Sequence, residues 1–292
     1  MSFDLVVTAR DSKTEFLRFF DSVVKQDGGL AVHVLFADQE LDLSREELFP
    51  AGHFGSVELT ILPVHKSSLS IARNYAIERG GLRSSFVAFP DDDCWYEPTL
   101  LQKIRAEFDS SPEIDCICTH VFDPDRKLSY GHRPRDTRVR IDFSNIFYLP
   151  ISVGIFIRRE ALERAGAYFD TKLGAGTALG SGEETELIAR LLESGSKIVY
   201  VGSISVFHAV PVYQPEDSKK YYLYGVGFGY LAIRFILRGH LQVGLQWLNI
   251  VCRSLAGYIL SILRGTRQLV YWERFRGIMN GSYRAISRGN RE

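Results

Sequence analysis

Only four cysteines occur in 292 residues, Cys94, Cys116, Cys118 and Cys252, with no CxxC pair and no histidine at zinc-ligand spacing. That scarcity argues against a disulfide framework and against a zinc site, and the thiols read as reduced and intracellular. The N-terminus, MSFDLVV, has no basic stretch, and its apolar run is too short for an export signal, so the cytoplasm is the expected location. From Tyr221 on, no charge-free run reaches the ~18 residues a spanning helix needs. Gly239 to Cys252 is the longest in that tail and Tyr221 to Ile233 the next. Net charge is missing as well: 35 basic side chains balance 35 acidic ones, which argues against a nucleic-acid partner.

What remains is an ordinary globular composition, 46% apolar and 24% charged, long enough for one main domain and an appendage. The zero balance conceals an asymmetry. Tyr221 to Glu292 holds ten Arg against two Glu, a net of +8, which leaves −8 for residues 1–220. A weakly acidic body carries a basic tail.

Within the body, apolar runs alternate with helical periodicity. FDLVVTA closes near Thr8 and KTEFLRFFDSVVKQ follows at helical spacing; LAVHVLFA closes at Asp38. VELTILPV precedes SLSIARNYAIERG, where Ala72, Tyr75 and Ala76 share a face before Gly80-Gly81 ends the helix. SSFVAF then runs straight into FPDDDCWY. This order predicts an α/β fold with a mostly parallel sheet covered on both faces, whose ligands sit at the carboxyl ends of the strands. Thr8, Asp38 and Asp91 to Asp93 all fall at such ends. Three adjacent carboxylates repel and raise one another's pKa unless something positive offsets them, so the cluster invites a cation.

Further on, Ile151 to Ile157 reads as a buried strand and REALERAGAYFD as a short helix and turn. Gly174, Gly176, Gly180 and Gly182 make a flexible loop, Glu183 to Leu192 a helix with acids in its first turn, and Lys197 to Val206 a strand leading to His208.

Taken in order, Thr8, Asp38, SIARN, FPDDD, GEETELIARLLESG and a following histidine resemble the inverting family 2 glycosyltransferases of the GT-A fold, especially bacterial enzymes that build surface polysaccharides. The resemblance spans roughly residues 3–210. It implies a Rossmann-like, nucleotide-binding mixed sheet flanked by helices, with a C-terminal helical extension. Thr8, Asp38 and Arg73 would hold the nucleotide base and ribose, Asp91 and Asp92 would contribute to the donor site, and Asp93, with Asp91 and His208, would hold Mn²⁺ or Mg²⁺. Glu184 falls at the position of the catalytic base, with Glu183 beside it, where the family usually has Asp after an acidic residue. Ala9-Arg10-Asp11 replaces the family's frequent Tyr and Asn, and Ala37-Asp38 a frequent pair of acids.

The residue types also fit the chemistry on their own terms. Transfer from a nucleoside diphosphate builds negative charge on the leaving phosphates, which a hard cation on oxygen ligands neutralises, Mn²⁺ also accepting imidazole. A carboxylate can take the acceptor's proton as attack proceeds, contributing ~10²–10⁴-fold. Plainer readings stand beside each assignment. The three acids could form a solvated turn or a helix start before Pro98, and Glu183, Glu184 and Glu186 could merely suit a helix N-terminus. His208 could be a packed histidine, Asp38 a turn residue and Arg73 a solvated residue paired with Glu78. Trp95 and Tyr96 read as packing residues and Cys94 as inert.

In the tail, Gln242, Gln246, Asn249 and Arg253 form a narrow polar stripe on an otherwise apolar helix. Trp272, Phe275, Met279, Tyr283 and Ile286 form an apolar stripe on the last, with Arg267, Arg274, Arg284 and Arg288 elsewhere. Basic amphipathic helices with interfacial aromatics fit an anionic membrane surface, the alternatives being a cap on the core or a homo-oligomer interface. The expected division is a catalytic domain over 1–215 and a basic helical region over 216–292, peripheral on the inner face of the membrane. The expected reaction is metal-dependent, inverting transfer from a nucleotide-sugar, UDP-sugar first, to a saccharide or lipid-linked saccharide. A sugar nucleotidyltransferase is the alternative enzyme, although VTARDSKTE lacks the glycine its triphosphate loop needs. A non-catalytic nucleotide-binding membrane scaffold is the third reading.

Overall fold

The computed structural model describes residues 2–10, 12–39, 55–211, 218–266 and 268–289. Asp11, Arg267 and the Arg288 side chain lie outside the described residues. The chain divides into two compact units. One comprises Met1–Asp142, Tyr148–Phe169 and Leu187–Val210; the other comprises Phe143–Phe147, Asp170–Glu186 and Pro211–Glu292.

In the first unit, strand β1 (Phe3–Ala9) is buried at all seven positions, as a strand paired on both edges and covered on both faces must be. It pairs in parallel with β2 (Val32–Asp38) on one side and with β4 (Phe86–Ala88) on the other, and β3 (Val57–Pro63) extends β2 in parallel. Helix α1 (Lys13–Val24) is capped by Ser12, whose hydroxyl accepts from the Glu15 amide, and buries Phe16, Phe19, Phe20 and Val23. Helix α2 (Leu69–Gly80) is capped by Ser68 and stops at Gly81.

Beyond β4 the expected parallel order gives way to a mixed one. Strand β9 (Ile155–Arg158) inserts antiparallel between β4 and β6 (Cys116–Asp123). Strand β10 (Ile198–His208) runs parallel to β6, and β5 (Cys94–Trp95) pairs antiparallel with the end of β10. The order is β3-β2-β1-β4-β9-β6-β10-β5, with β7 (Leu128–Ser129) on β6 and β8 (Arg138–Ile141) on β10. Where Ile151 to Ile157 reads as one strand, Ser152–Gly154 is a single tight helical turn and β9 starts only at Ile155. Helix α3 (Leu100–Ser110) begins after β5, so the three aspartates do not open a helix. Helix α4 (Arg159–Arg164) follows β9, and α5 (Glu183–Glu193) precedes β10.

The buried Asp4 ties the other end of the sheet together. Its carboxylate accepts from the backbone amides of Arg83 at 2.7 Å and Ser84 at 2.8 Å, and from the Ser84 hydroxyl at 2.9 Å, with His33 Nδ1 at 3.1 Å. Burial alone would raise its pKa, but these donors hold it below the usual carboxylate range.

The second unit carries helices α6 (Ser218–Leu237), α7 (Val243–Leu263) and α8 (Leu269–Gly289). Helices α6 and α8 meet through glycine. A Cβ at Gly225 or Gly229 would strike the carbonyl oxygen of Arg274 or Ile278, and one at Gly277 or Gly281 would strike that of Tyr222 or Val226. The backbones therefore touch. The buried face of α8 runs through Gly277, Ile278, Gly281, Ser282 and Ala285, while Met279, Tyr283 and Ile286 are exposed. The apolar stripe read from the sequence is thus largely the outer face of this helix.

Candidate functional site

Parallel strands deliver their last residues to one edge of the sheet, and that edge gathers most of the expected site. Thr8 pairs with Ala37 and Ala9 with Asp38 in the β1–β2 register, while a parallel bridge joins Thr8 to Asp91. Asp38 is 5% exposed and Thr8 8%. The Asp91 to Asp93 segment leaves β4 and enters β5, where Cys94 pairs with His208 at the end of β10. The three aspartates therefore link the carboxyl ends of β1 and β2 to His208.

Arg73, on α2, is fully buried. Its Nη2 donates to Asp91 Oδ1 at 2.8 Å, to the Phe89 carbonyl at 3.2 Å and to the Ser152 hydroxyl at 3.2 Å. The solvated alternative for Arg73 does not hold: this side chain acts on Asp91 from within. Its neighbour Asn74 clamps Phe169 from both sides, accepting from its amide at 2.7 Å and donating to its carbonyl at 2.8 Å. Phe169 packs edge-on against Phe89 at 4.8 Å between ring centroids. The dipeptide Arg73-Asn74 thus fixes the approach to the aspartates and the residue that precedes the glycine loop.

Asp93 and His208 face each other. His208 Nε2 lies 3.1 Å from Asp93 Oδ1, and His208 Nδ1 lies 2.7 Å from the Ala209 carbonyl. A carbonyl only accepts, so Nδ1 carries the hydrogen; Nε2 then meets the carboxylate as a donor when the ring is charged and as a lone pair when it is neutral. Two acceptors that close are stable only with a proton or a cation between them. Burial works against charge on both, yet each raises the other's charged form: the His208 pKa goes up and the Asp93 pKa goes down. Asp92 behaves oppositely. Burial, then repulsion from Asp93 and Asp91, pushes its pKa up to about 7.

Two supports were not visible in sequence spacing. Arg18 on α1 donates to the Asp93 carbonyl at 2.8 Å and lies over the Trp95 ring, its Cζ 4.1 Å from the centroid. Ser152 completes the Arg73 contacts from the turn before β9. Tyr96 is buried, as expected of a packing residue, and Cys94 is buried with its thiol pKa pushed up, chiefly by burial, so it stays protonated and inert. Among the described residues, no group of three or more carboxylate, imidazole or thiol side chains is placed to hold a metal ion. Asp93 and His208 form a pair, and Asp91 turns to Arg73. Glu183 and Glu184 open α5 in the other unit, with Glu183 buried and Glu184 half-buried.

Sequence comparison decides the family, since residues 4–168, more than half of the chain, match the model described as glycosyl transferase family 2. The chain belongs to that family. It is a glycosyltransferase, and its sheet flanked by helices is GT-A-like. No curated protein matches it in sequence. Among solved structures the glycosyltransferase is similar to S. aureus TarS 1-349 in complex with UDP-GlcNAc, with a TM-score of 0.58 and 16% identity, covering 100% of this chain and 93% of that one. The complex of TarS 1-349 with UDP gives a TM-score of 0.56 at 15% identity, over 100% and 92% of the two chains. Against S. aureus TarS itself the TM-score is 0.55 at 17% identity, over 78% of this chain and only 40% of that one. This likeness is one of fold.

Proposed function

We propose that this glycosyltransferase is metal-dependent and inverting, and moves a sugar from a UDP-sugar to a saccharide or lipid-linked saccharide acceptor in cell-surface polysaccharide synthesis. The observation that carries the reading is His208 Nε2 placed 3.1 Å from Asp93 Oδ1 at the strand-end edge. Such a carboxylate–imidazole pair suits the oxygen and nitrogen ligand preferences of a divalent cation. Asp93 and His208 would hold Mn²⁺ or Mg²⁺, with Asp91 beside them. The bound ion would supply charge neutralisation for the leaving diphosphate. Thr8 and Asp38 bind the nucleoside, and Arg73 acts through Asp91. The UDP and UDP-GlcNAc complexes of TarS, which shares the fold, support UDP as the nucleotide.

Glu184 is the base in this reading. It takes the proton of the acceptor hydroxyl as that oxygen attacks the anomeric carbon, and the bond from that carbon to the phosphate oxygen breaks with its electron pair leaving on UDP. A single displacement inverts the anomeric configuration. The test is UDP titration with and without Mn²⁺: EDTA and Asp93→Asn should each weaken binding by roughly 10–100-fold. UDP affinity indifferent to both would overturn the metal role.

We also assign the tail to an anionic membrane surface. Val243–Leu263 is, among the described residues, the one helix long and apolar enough to cross a membrane, and only 17% of its most apolar stretch is buried. Leu245, Leu248, Ile259 and Leu263 are exposed along it at 75%, 51%, 56% and 77%. The +8 charge of Tyr221 to Glu292 selects anionic lipid over a second, equally basic copy. Protein should co-sediment with phosphatidylserine vesicles better than with neutral ones, less so at high salt. Binding indifferent to lipid charge, with dimers in its place, would assign the face to a homo-oligomer.

A further inference from the structure

The segment between β7 and β8 carries charge that the transfer mechanism above does not use. Arg133 and Arg135 lie in a loop whose backbone is pinned to β10: Tyr200 Oη donates to the Pro134 carbonyl at 2.8 Å, and the Gly202 amide donates to the Thr137 carbonyl at 2.8 Å. The fit is close enough that a Cβ at Gly202 would come within 2.7 Å of the Pro134 oxygen. Asp136 turns the loop at a φ of +52°, a left-handed conformation costly for a side-chain-bearing residue. A loop held this firmly presents its side chains in fixed places.

Those side chains are two guanidinium groups on aromatic rings. Arg133 lies 5.7 Å from the centroid of Tyr148, itself 47% exposed, and Arg135 lies 4.0 Å from that of Phe122. Arg135 is exposed and has no carboxylate within ion-pair distance among the described residues. Behind them the buried His120 stands between the Ser129 and Ser205 hydroxyls at 2.9 and 3.0 Å. Burial, then Arg135 and Arg133, push its pKa down to about 4, so it is a neutral backing to the patch. The patch reaches the proposed donor site by short steps. Arg133 Nη1 donates to the Tyr130 carbonyl at 3.3 Å, and the Tyr130 ring stands edge-on to His208 at 5.4 Å. Sheet order puts this at the His208 end of the site, away from Asp38 on β2.

We propose that Arg133 and Arg135 form an anion site for a phosphate group carried by a substrate of the transfer reaction. The proposal rests on the glycosyltransferase reading above. Guanidinium suits phosphate because its fork of donors pairs with two oxygens, and an aromatic backing orients the fork. The phosphate belongs either to the acceptor or to the donor's diphosphate, and the position at the far end from Asp38 favours the acceptor.

The test uses full-length protein and inorganic pyrophosphate as the probe. In protein saturated with UDP and Mn²⁺ the donor site is filled. Calorimetric titration should then show pyrophosphate binding that Arg135→Gln, and the double change Arg133→Gln with Arg135→Gln, weaken at least about tenfold, with Lys replacements recovering part of it. That outcome assigns the acceptor phosphate. A similar loss in UDP affinity, without a second pyrophosphate site, assigns the donor diphosphate and equally supports the site. Arg135 is exposed, so its single replacement leaves the fold intact, and thermal melts check this. Pyrophosphate and UDP affinities both unchanged in the double variant would overturn the proposal. Arginine-dependent pyrophosphate binding in protein that never binds UDP would sustain the anion site and reject the donor reading instead.

Discussion

The strand-end edge and the helical tail solve the problem of close approach with opposite materials. At the edge, charged groups come together in pairs: Arg73 with Asp91 and Asp93 with His208, each at about hydrogen-bond distance. In the tail, α6 and α8 come together where side chains are missing, through Gly225, Gly229, Gly277 and Gly281. A charge pair fixes direction as well as distance, which a reaction centre needs; a glycine contact fixes distance alone and leaves the outer faces free to be apolar. One region is specified by what its residues carry, the other by what they lack.

The largest effect expected is on turnover. Glu184→Gln keeps the shape of the side chain and removes the proton acceptor, so transfer should fall by ~10²–10⁴-fold while UDP affinity stays within a few-fold. Steady-state rates and a UDP titration on the same sample check this. Transfer retained within a few-fold would move the base to Glu183 or elsewhere, and would leave α5 with only its dipole-favoured acids.

Next is a charge node that belongs to folding alone. Asp4→Ala removes the acceptor for four donors and strands buried polar groups around Ser84 and His33, which should destabilise the first unit by about 3–5 kcal/mol. Chemical denaturation followed by Trp fluorescence measures it. A change under 1 kcal/mol would mean that water replaces the carboxylate. Replacement at a glycine contact should cost less: Gly281→Ala forces α8 away from the Val226 carbonyl, an overpacking change of about 1–3 kcal/mol. If the alanine protein is as stable as the parent, the helices have slack and the contrast between the two regions weakens.

How far the sequence reveals each region follows from the same contrast. The strand ends were legible because burial writes long apolar runs in the first four strands, and helices α1 and α5 carry clean periodicity. The position of Thr8, Asp38 and the aspartates at one edge follows from parallel order alone. The orientation of Arg73 was not legible, because a helical arginine one residue past Ala72 looks the same in sequence whether it faces Glu78 or Asp91. Nor was the antiparallel insertion of β9, since pairing between residues 88 and 156 is a long-range choice with no local mark. In the tail, hydrophobic spacing singled out Trp272, Phe275, Met279, Tyr283 and Ile286. The packing face instead runs through small residues, which a search for apolar stripes passes over. The spacing Gly225/Gly229 and Gly277/Gly281 was the available signal.

The smallest effect expected separates a histidine that folding keeps neutral from one whose charged form Asp93 favours. His120 titrates at about 4 in the folded chain against 6.5 when unfolded, because burial and two arginines oppose its charge. Between those values the unfolded chain binds the extra proton, so this residue's contribution is present above pH 6.5 and is lost as pH falls toward 4. His208 has the opposite sign: its raised pKa contributes stability below 6.5 that disappears as pH rises through the folded value. Asp4 loses its contribution only below its unfolded value of 3.8, outside the window in question. Glutamine at position 120 still reaches a serine hydroxyl and does not titrate. The melting temperature of His120→Gln should therefore fall less than that of the parent between pH 6.5 and 4.5, while the two curves run parallel above pH 7. Parallel curves throughout would show that water reaches His120 and that the arginine loop in front of it opens in solution.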